Sequence, residues 1–236
     1  MLFRSILKFA DDTKLAQVVS SREDADKLQD TLDNLCRWAD RWGMQFNVKK
    51  CFVMHIGTNN SRFEYFMKGV KLSSTDKERD IGVIMSNSLK PADQCKKAAQ
   101  TANMVLGQIL RAFHFRDRHV FKRLYVQYVR PHLEFAVQAW APWSVADADS
   151  LEQVQKRAVK SISGLVGQSY EDRLKELNLP TLQARRDDLD MVQTYKIVNG
   201  TGTDNLELWF ERASMRRQTR QTVGLDNLVQ IGRAHV

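Results

Sequence analysis

Cysteine is scarce in this chain. Cys36, Cys51 and Cys95 are three in 236 residues, an odd number at wide spacings, with no C-x-x-C and no nearby pair of histidines. That pattern argues against a disulfide framework and against a zinc site, and it fits a reducing compartment. Long hydrophobic runs are also missing. No stretch approaches the roughly 18 apolar residues of a membrane span, so the protein is expected to be soluble, with no membrane partner of the spanning kind. Acids are absent from residues 1–8, as they would be in a transit peptide, but that stretch is short and runs straight into a patterned segment, so it reads as part of a strand. Acids are the minority charge overall: 28 Asp and Glu against 36 Lys and Arg leave a formal charge of +8 and a pI near 9.5. Such a balance favours a polyanionic partner, nucleic acid first and an acidic membrane surface second; a basic protein without such a partner is the competing reading. The 43% apolar content is that of an ordinary globular protein, enough for one good core or two smaller ones.

The patterned segments begin at once. Residues 6–10 and 14–19 are short apolar runs on either side of Asp11-Asp12-Thr13, which predicts a hairpin with acids projecting from its turn. Ser20-x-x-Glu23 has the form of a capping box, and Leu28, Leu32, Leu35, Ala39 and Trp42 recur at helical spacing up to Gly43, a C-terminal stop. Strands are predicted at 51–56, 65–67, 70–72 and 81–85, with Gly57, Asn59 and Asn60 as turn formers between the first two. Residues 1–88 therefore read as α+β.

From residue 89 the pattern turns helical. Pro91 suits a first turn, and Cys95, Ala98, Ala102, Val105, Ile109 and Phe113 follow three or four apart. A second helix over 117–129 would turn Val120, Phe121, Leu124, Tyr125 and Tyr128 inward before Pro131 restarts the pattern. Leu151, Val154, Ala158, Val159 and Ile162 mark a helix ending near Gly164. Ser169-x-x-Asp172 is a further capping signal, and Leu182, Leu189, Val192 and Tyr195 form a last apolar stripe before Asn199-Gly200. Residues 89–145 and 146–200 are thus two helical regions, with a turn-rich boundary at 142–149. In 201–236 periodicity fades and Arg212, Arg216, Arg217 and Arg220 crowd a polar stretch, which predicts a poorly ordered tail.

Two features bear on chemistry. Phosphoryl transfer onto a nucleic-acid 3′ end commonly uses two Mg²⁺ ions about 3.5–4 Å apart, one activating the attacking oxygen and one stabilising the leaving oxygen. Mg²⁺ prefers oxygen ligands, so paired acids at a tight turn suit it, and Asp11 and Asp12 meet that need. Taken alone, two Asp in a turn are most often a solvated turn. The second feature is a basic cluster, Arg111, Arg116, Arg118, Lys122, Arg123 and Arg130, set against a single acid, Asp117. On two helices joined by a turn these cations would line one side of a duplex groove. The competing reading is a solvated face over an aromatic core. Trp140 and Trp143 invite a base-stacking role, but aromatics beside Pro142 are more often packing.

A family resemblance gives these features context. Phe9-Ala10-Asp11-Asp12-Thr13 resembles the F/Y-A-D-D-T hairpin of reverse transcriptases, and the later segments are similar, in order, to the LINE-type (non-long-terminal-repeat, jockey-like) retrotransposon group. Leu35-x-x-Trp38-Ala39 and Met44-x-Phe46-Asn47-x-x-Lys50-Cys51 resemble that group's helix and its N-x-x-K motif. Asp80-Ile81-Gly82-Val83 resembles the strand where the family has its primer grip. Tyr128-Val129-Arg130-Pro131-His132-Leu133-Glu134-Phe135, Trp140-Ala141-Pro142 and Leu151-Glu152-x-Val154-Gln155-x-Arg157-Ala158 resemble its thumb and connector. The likeness covers residues 6–200.

The resemblance implies a C-terminal part of a reverse-transcriptase palm at 1–88, a thumb at 89–145 and a connector at 146–200. It implies an RNA-directed DNA polymerase of a mobile element, with Mg²⁺ held by Asp11 and Asp12, Lys50 near the incoming triphosphate, and Ile81 and Gly82 near the primer end. RNA template, DNA primer and deoxynucleoside triphosphates are the partners implied, and a cytoplasmic or nuclear location inside the cell. Lys50 equally reads as a surface lysine at a strand start, and Gly82 as the mark of a bulge. A complete site needs a third carboxylate from an earlier palm strand, so the chain by itself is expected to be inactive. The last six residues, 231–236, resemble an in-frame translation of a sequencing-library adapter. A non-catalytic nucleic-acid-binding module is the rival reading, which the basic helices would support even with Asp11 and Asp12 idle. A helical interaction protein is a third, favoured if the cations are scattered over all faces.

Overall fold

The computed structural model describes residues 4–9, 12–57, 60–201, 210–212 and 228–231. It is a mixture of helices and small two-stranded sheets, in agreement with an α+β class. The chain divides into two units, one formed by residues 1–97 with 142–147 and the other by 98–141 with 148–236.

In the first unit, β1 (Arg4–Phe9) and β2 (Asp12–Gln17) pair antiparallel from Arg4↔Gln17 to Phe9↔Asp12. Asp12 and Thr13, expected in the turn, belong to the second strand. Helix α1 (Arg22–Arg41) starts one residue later than the Ser20/Glu23 pattern implies. Its N-cap is Ser21, whose hydroxyl accepts from the Asp24 N–H at 3.2 Å, while the Asp24 carboxylate accepts from the backbone N–H of both Ser20 and Ser21 at 3.1 Å. The Ser20 N–H first, then the Ser21 hydroxyl, hold the Asp24 carboxyl below its usual range. The buried stripe of α1 runs through Ala25, Leu28, Leu32, Cys36 and Ala39, and Gly43 takes φ +67 after the last turn; Trp42, expected on the stripe, is exposed.

A single 3-10 turn (Val48–Lys50) leads into β3 (Phe52–Met54), which pairs in parallel with β6 (Ser73–Thr75). Between them, β4 (Phe66–Met67) and β5 (Val70–Lys71) form a hairpin, and Tyr65, Met67 and Leu72 join Ala25 and Cys36 in the core. The Gln29 side-chain amide ties α1 to β4, donating to the Phe66 carbonyl at 2.8 Å and accepting from its N–H at 2.9 Å. β7 (Lys77–Asp80) and β8 (Val83–Ser86) form the last hairpin of this unit. β6 and β7 were not foreseen: Ser73–Thr75 and Lys77–Asp80 carry almost no apolar residues, so they are strands by hydrogen bonding, not by burial.

Helix α2 (Ala92–Ala112) follows Pro91 as expected and buries Cys95, Ala98, Ala102, Leu106 and Ile109; Phe113 is exposed. In the second unit, α3 (Arg118–Leu124) is capped by Asp117, whose carboxylate accepts from the N–H of His119 and Val120. It runs through a widened, π-type turn (Tyr125–Val129) into α4 (Arg130–Glu134). Pro131 explains the widening: it has no N–H, and its ring would strike the carbonyl four residues back, so the Arg130 N–H reaches instead to the Tyr125 carbonyl. The wider turn keeps Phe121, Tyr125, Val129 and Leu133 on one buried face, while Val120 and Tyr128, expected inward, are exposed.

Short α5 (Val137–Trp140) precedes α6 (Val145–Lys160), which buries Leu151, Val154, Ala158 and Val159 as the spacing requires. Ser169 caps α7 (Tyr170–Leu177), as its motif predicts. In α8 (Leu182–Val198) the buried residues are Leu182, Arg186 and Ile197; of the predicted stripe Leu182 is buried and Leu189 half-buried, while Val192 and Tyr195 are exposed. β9 (Phe210–Arg212) pairs with β10 (Leu228–Ile231), the described part of the predicted tail; Arg216, Arg217, Arg220 and residues 232–236 lie outside the described residues. No helix among the described residues is long and apolar enough to cross a membrane.

Candidate functional site

Asp11 lies outside the described residues. Asp12 is an exposed strand residue, the partner of Phe9 in the last rung of the β1–β2 ladder. Two residues further along β2, the Lys14 ammonium pairs with the Asp80 carboxylate at the end of β7. That ion pair joins the acidic hairpin to the next feature singled out from the sequence.

Ile81 and Gly82 follow Asp80, but as a turn and not as a strand. They connect β7 to β8 with φ +44 and +90, the two positive values of a primed two-residue hairpin. Glycine takes such a φ freely, whereas a β-branched residue there is an outlier. Ile81 is also 58% exposed, so the strain is not offset by burial of its side chain. Lys50 closes the 3-10 turn before β3, its N–H donating to the Asn47 carbonyl at 2.9 Å; it is exposed and does not begin a strand. Asn47-Val48-Lys49-Lys50 is therefore one turn of helix.

The basic cluster of the second unit is not uniform. Arg118 pairs with Glu176 at 2.5 Å, and Lys122 donates to the Asn178 carbonyl at 3.4 Å. Arg116 is half-buried and donates to the Leu110 carbonyl at 3.3 Å, with its Nε buried and without a hydrogen-bond partner. Arg130 is half-buried, 3.6 Å from Glu134, a carboxylate that Arg185 also grips through two nitrogens. Those four cations are engaged within the fold; Arg111 and Arg123 are exposed. Trp140 is buried and donates its indole N–H to the Phe135 carbonyl at 2.8 Å, which is packing; Trp143 is exposed.

Sequence reasoning passed over two groups. Arg157 and Lys160 are exposed on the last turns of α6, and Arg157 donates to the Asn103 side-chain oxygen on α2 at 3.0 Å. Their i, i+3 spacing on the exposed side of α6 was the available signal. The other is a buried polar network. The Tyr125 hydroxyl donates to Gln155 at 2.6 Å, the Gln155 amide donates to the Tyr170 hydroxyl at 2.9 Å and to the Pro180 carbonyl at 3.0 Å, and Tyr170 donates to Glu152. Glu152 also accepts from the Leu182 N–H at 3.1 Å. Burial pushes the Tyr125 and Tyr170 hydroxyls upward, and the Glu152 hydrogen bond adds to the shift at Tyr170. With each proton held on its oxygen, this network is a structural clamp.

No family model and no solved structure matches this chain. It is similar to an uncharacterized protein of Caenorhabditis elegans, 27% identical over 128 residues that make up 53% of this chain. The match spans 64% of that protein's length, less than two thirds of it.

Proposed function

We propose that this chain is the C-terminal palm and thumb region of a LINE-type reverse transcriptase, an RNA-directed DNA polymerase, and that it holds RNA–DNA duplex. The observation that carries this reading is the Lys14–Asp80 ion pair, which joins the hairpin of the Asp11-Asp12 motif to the hairpin tipped by Ile81 and Gly82. These are the two motifs that the sequence resemblance assigns to metal binding and to the primer end. A strained, exposed apolar residue at a hairpin tip adds support, since strain of this kind collects at functional sites.

Mg²⁺ and deoxynucleoside triphosphates belong to the complete enzyme in this reading. Two-metal chemistry needs several carboxylates around both ions. Among the described residues Asp12 stands at the end of the hairpin, and no group of three or more His, Cys, Asp or Glu gathers there or elsewhere. That donor set does not fit two ions, and no step of nucleotidyl transfer follows from it. The second reading, a non-catalytic nucleic-acid-binding module, is favoured by the exposed cations of α2 and α6.

Primer extension on an RNA template in Mg²⁺ separates the two. The 236-residue chain alone is expected to bind duplex without extending the primer. Fused behind the fingers and N-terminal palm of a LINE-type reverse transcriptase, it is expected to synthesise DNA, and Asp11→Asn in that longer protein is expected to abolish synthesis with duplex affinity nearly intact. Full synthesis by the Asp11→Asn protein would overturn this hairpin as the metal site, and no synthesis by the longer protein would overturn the polymerase reading.

A further inference from the structure

We propose that the phosphate-contacting surface of the second unit is the strip where α2 meets α6, formed by Arg111, Arg157 and Lys160 around Asn103 and Gly107, and that its ligand is the sugar–phosphate backbone of a nucleic-acid duplex. This rests on the reading that the chain binds nucleic acid and moves the contact away from α3, whose cations are mostly engaged.

The geometry is built from three contacts. The Arg157 guanidinium donates to Asn103 at 3.0 Å, and the Ser163 N–H donates to the Arg116 carbonyl at 3.0 Å, so α2 and α6 run in the same direction with their C-terminal ends together. One turn beyond Asn103, a Cβ built on Gly107 would lie 3.9 Å from the Arg111 guanidinium, so Arg111 folds back along the helix over the glycine. Asn103 and Gly107 are one turn apart, about 5.4 Å along the axis. The guanidinium groups of Arg111 and Arg157 therefore flank the same turn, and Lys160 follows Arg157 on the same face of α6.

Charge selects the ligand. Arg111 is the one charged residue of 98–112, and the acids of α6, Asp147, Asp149 and Glu152, lie before Lys156, with Glu152 turned to Tyr170 and the Leu182 N–H. The strip thus offers two cations at i, i+3 on α6 and one on α2, and neither 98–112 nor 153–160 contributes a carboxylate. Arg157 spends one of its five N–H donors on Asn103, and the rest remain for oxygen acceptors. Arg and Lys that reach phosphates without reading base edges fix position and not sequence.

The test is binding of a mixed-sequence RNA–DNA duplex to the full chain over a KCl series, read by fluorescence anisotropy. Each neutralised phosphate contributes about 0.7 to 0.9 to the slope of log affinity against log salt. The triple variant R111Q/R157Q/K160Q is expected to lose about 2 to 3 from that slope, and the double variant R111K/R157K, with Lys160 unchanged, to keep most of it. A charge-matched control in the first unit, K27Q/K68Q/K71Q, is expected to keep the original slope. An unchanged slope in the glutamine triple, with the parent chain still binding, would overturn this surface and leave the nucleic-acid reading standing. An equal loss in the control would reduce the effect to net charge and overturn it too. Absence of binding by the parent chain would overturn both. Tighter binding to vesicles of anionic phospholipid, weakened by the same triple, would assign the strip to a lipid surface and overturn the duplex assignment. A merely structural role, with these cations offsetting the C-terminal dipoles of α2 and α6, would lower the thermal midpoint of the glutamine triple without moving the slope.

Discussion

Ile81 occupies a position that chemistry reserves for another residue. In the left-handed region an L side chain crowds the following carbonyl at a cost of about 1–2 kcal/mol, and Asn or Gly relieves it. Ile81→Asn is therefore expected to raise the unfolding free energy read from urea titration by an amount in that range, and a value that stays or falls would mean the turn is not strained. If the hairpin tip touches duplex as proposed, the same variant binds duplex more weakly, a stability gain bought with function. Asp24 gives a pH test. Its folded carboxyl titrates below the ordinary value of 3.8, so its contribution is present above that value and lost as pH falls through the folded one. Asp24→Asn is expected to flatten the acid limb of the stability curve, and an unaltered limb would remove the capping box from the account. Both residues were legible only in part. Ser20/Glu23 and Ser21/Asp24 satisfy the same capping pattern, and the register that sends Ala25, Leu28 and Leu32 inward decided between them. Nothing in Asp80-Ile81-Gly82-Val83 marks Ile81 as a turn residue, because its composition is that of a strand.

At the scale of elements, α6 combines what spacing reveals with what it hides. Its apolar stripe was readable, yet its most buried polar residue, Gln155, sits beside Val154 with partners 15 to 30 positions away. Gln155→Leu is expected to cost at least about 1–3 kcal/mol, because the Tyr125 hydroxyl is left buried without its acceptor. Wild-type stability in guanidinium would contradict that role. The tyrosines add a pH dependence with the opposite sense to Asp24. Their folded values are raised above the ordinary value of 10, so stability is intact below it and falls as pH climbs past it, when the unfolded chain releases protons that the folded chain retains. Tyr125→Phe is expected to blunt that alkaline loss in thermal melts. The π-type turn before Pro131 is a further case: the proline announced a break, but a helix with a hydrogen bond reaching one residue further back absorbs it.

At the scale of the whole molecule, the N-terminal hairpin is a two-stranded sheet with exposed apolar residues. β1 has β2 as its partner among the described residues, and Ile6, Leu7 and Phe9 are exposed on both faces of the ribbon. Unpaired strand edges with apolar side chains invite association. Sedimentation is expected to show concentration-dependent association that Leu7→Lys suppresses, and a monomer at every concentration would remove the edge from consideration. The α+β class, the long helices and most of their buried stripes were determined by the sequence alone, because periodicity, caps and prolines act within a few residues. The pairing of Lys14 with Asp80, the capture of Arg118 by Glu176 and of Arg185 by Glu134, the parallel β3–β6 ladder and the meeting of Arg157 with Asn103 were decided only by tertiary structure. In each of these the partner comes from a separate part of the chain or the choice rests on burial, and no local pattern specifies which cation is neutralised within the fold and which is left facing water.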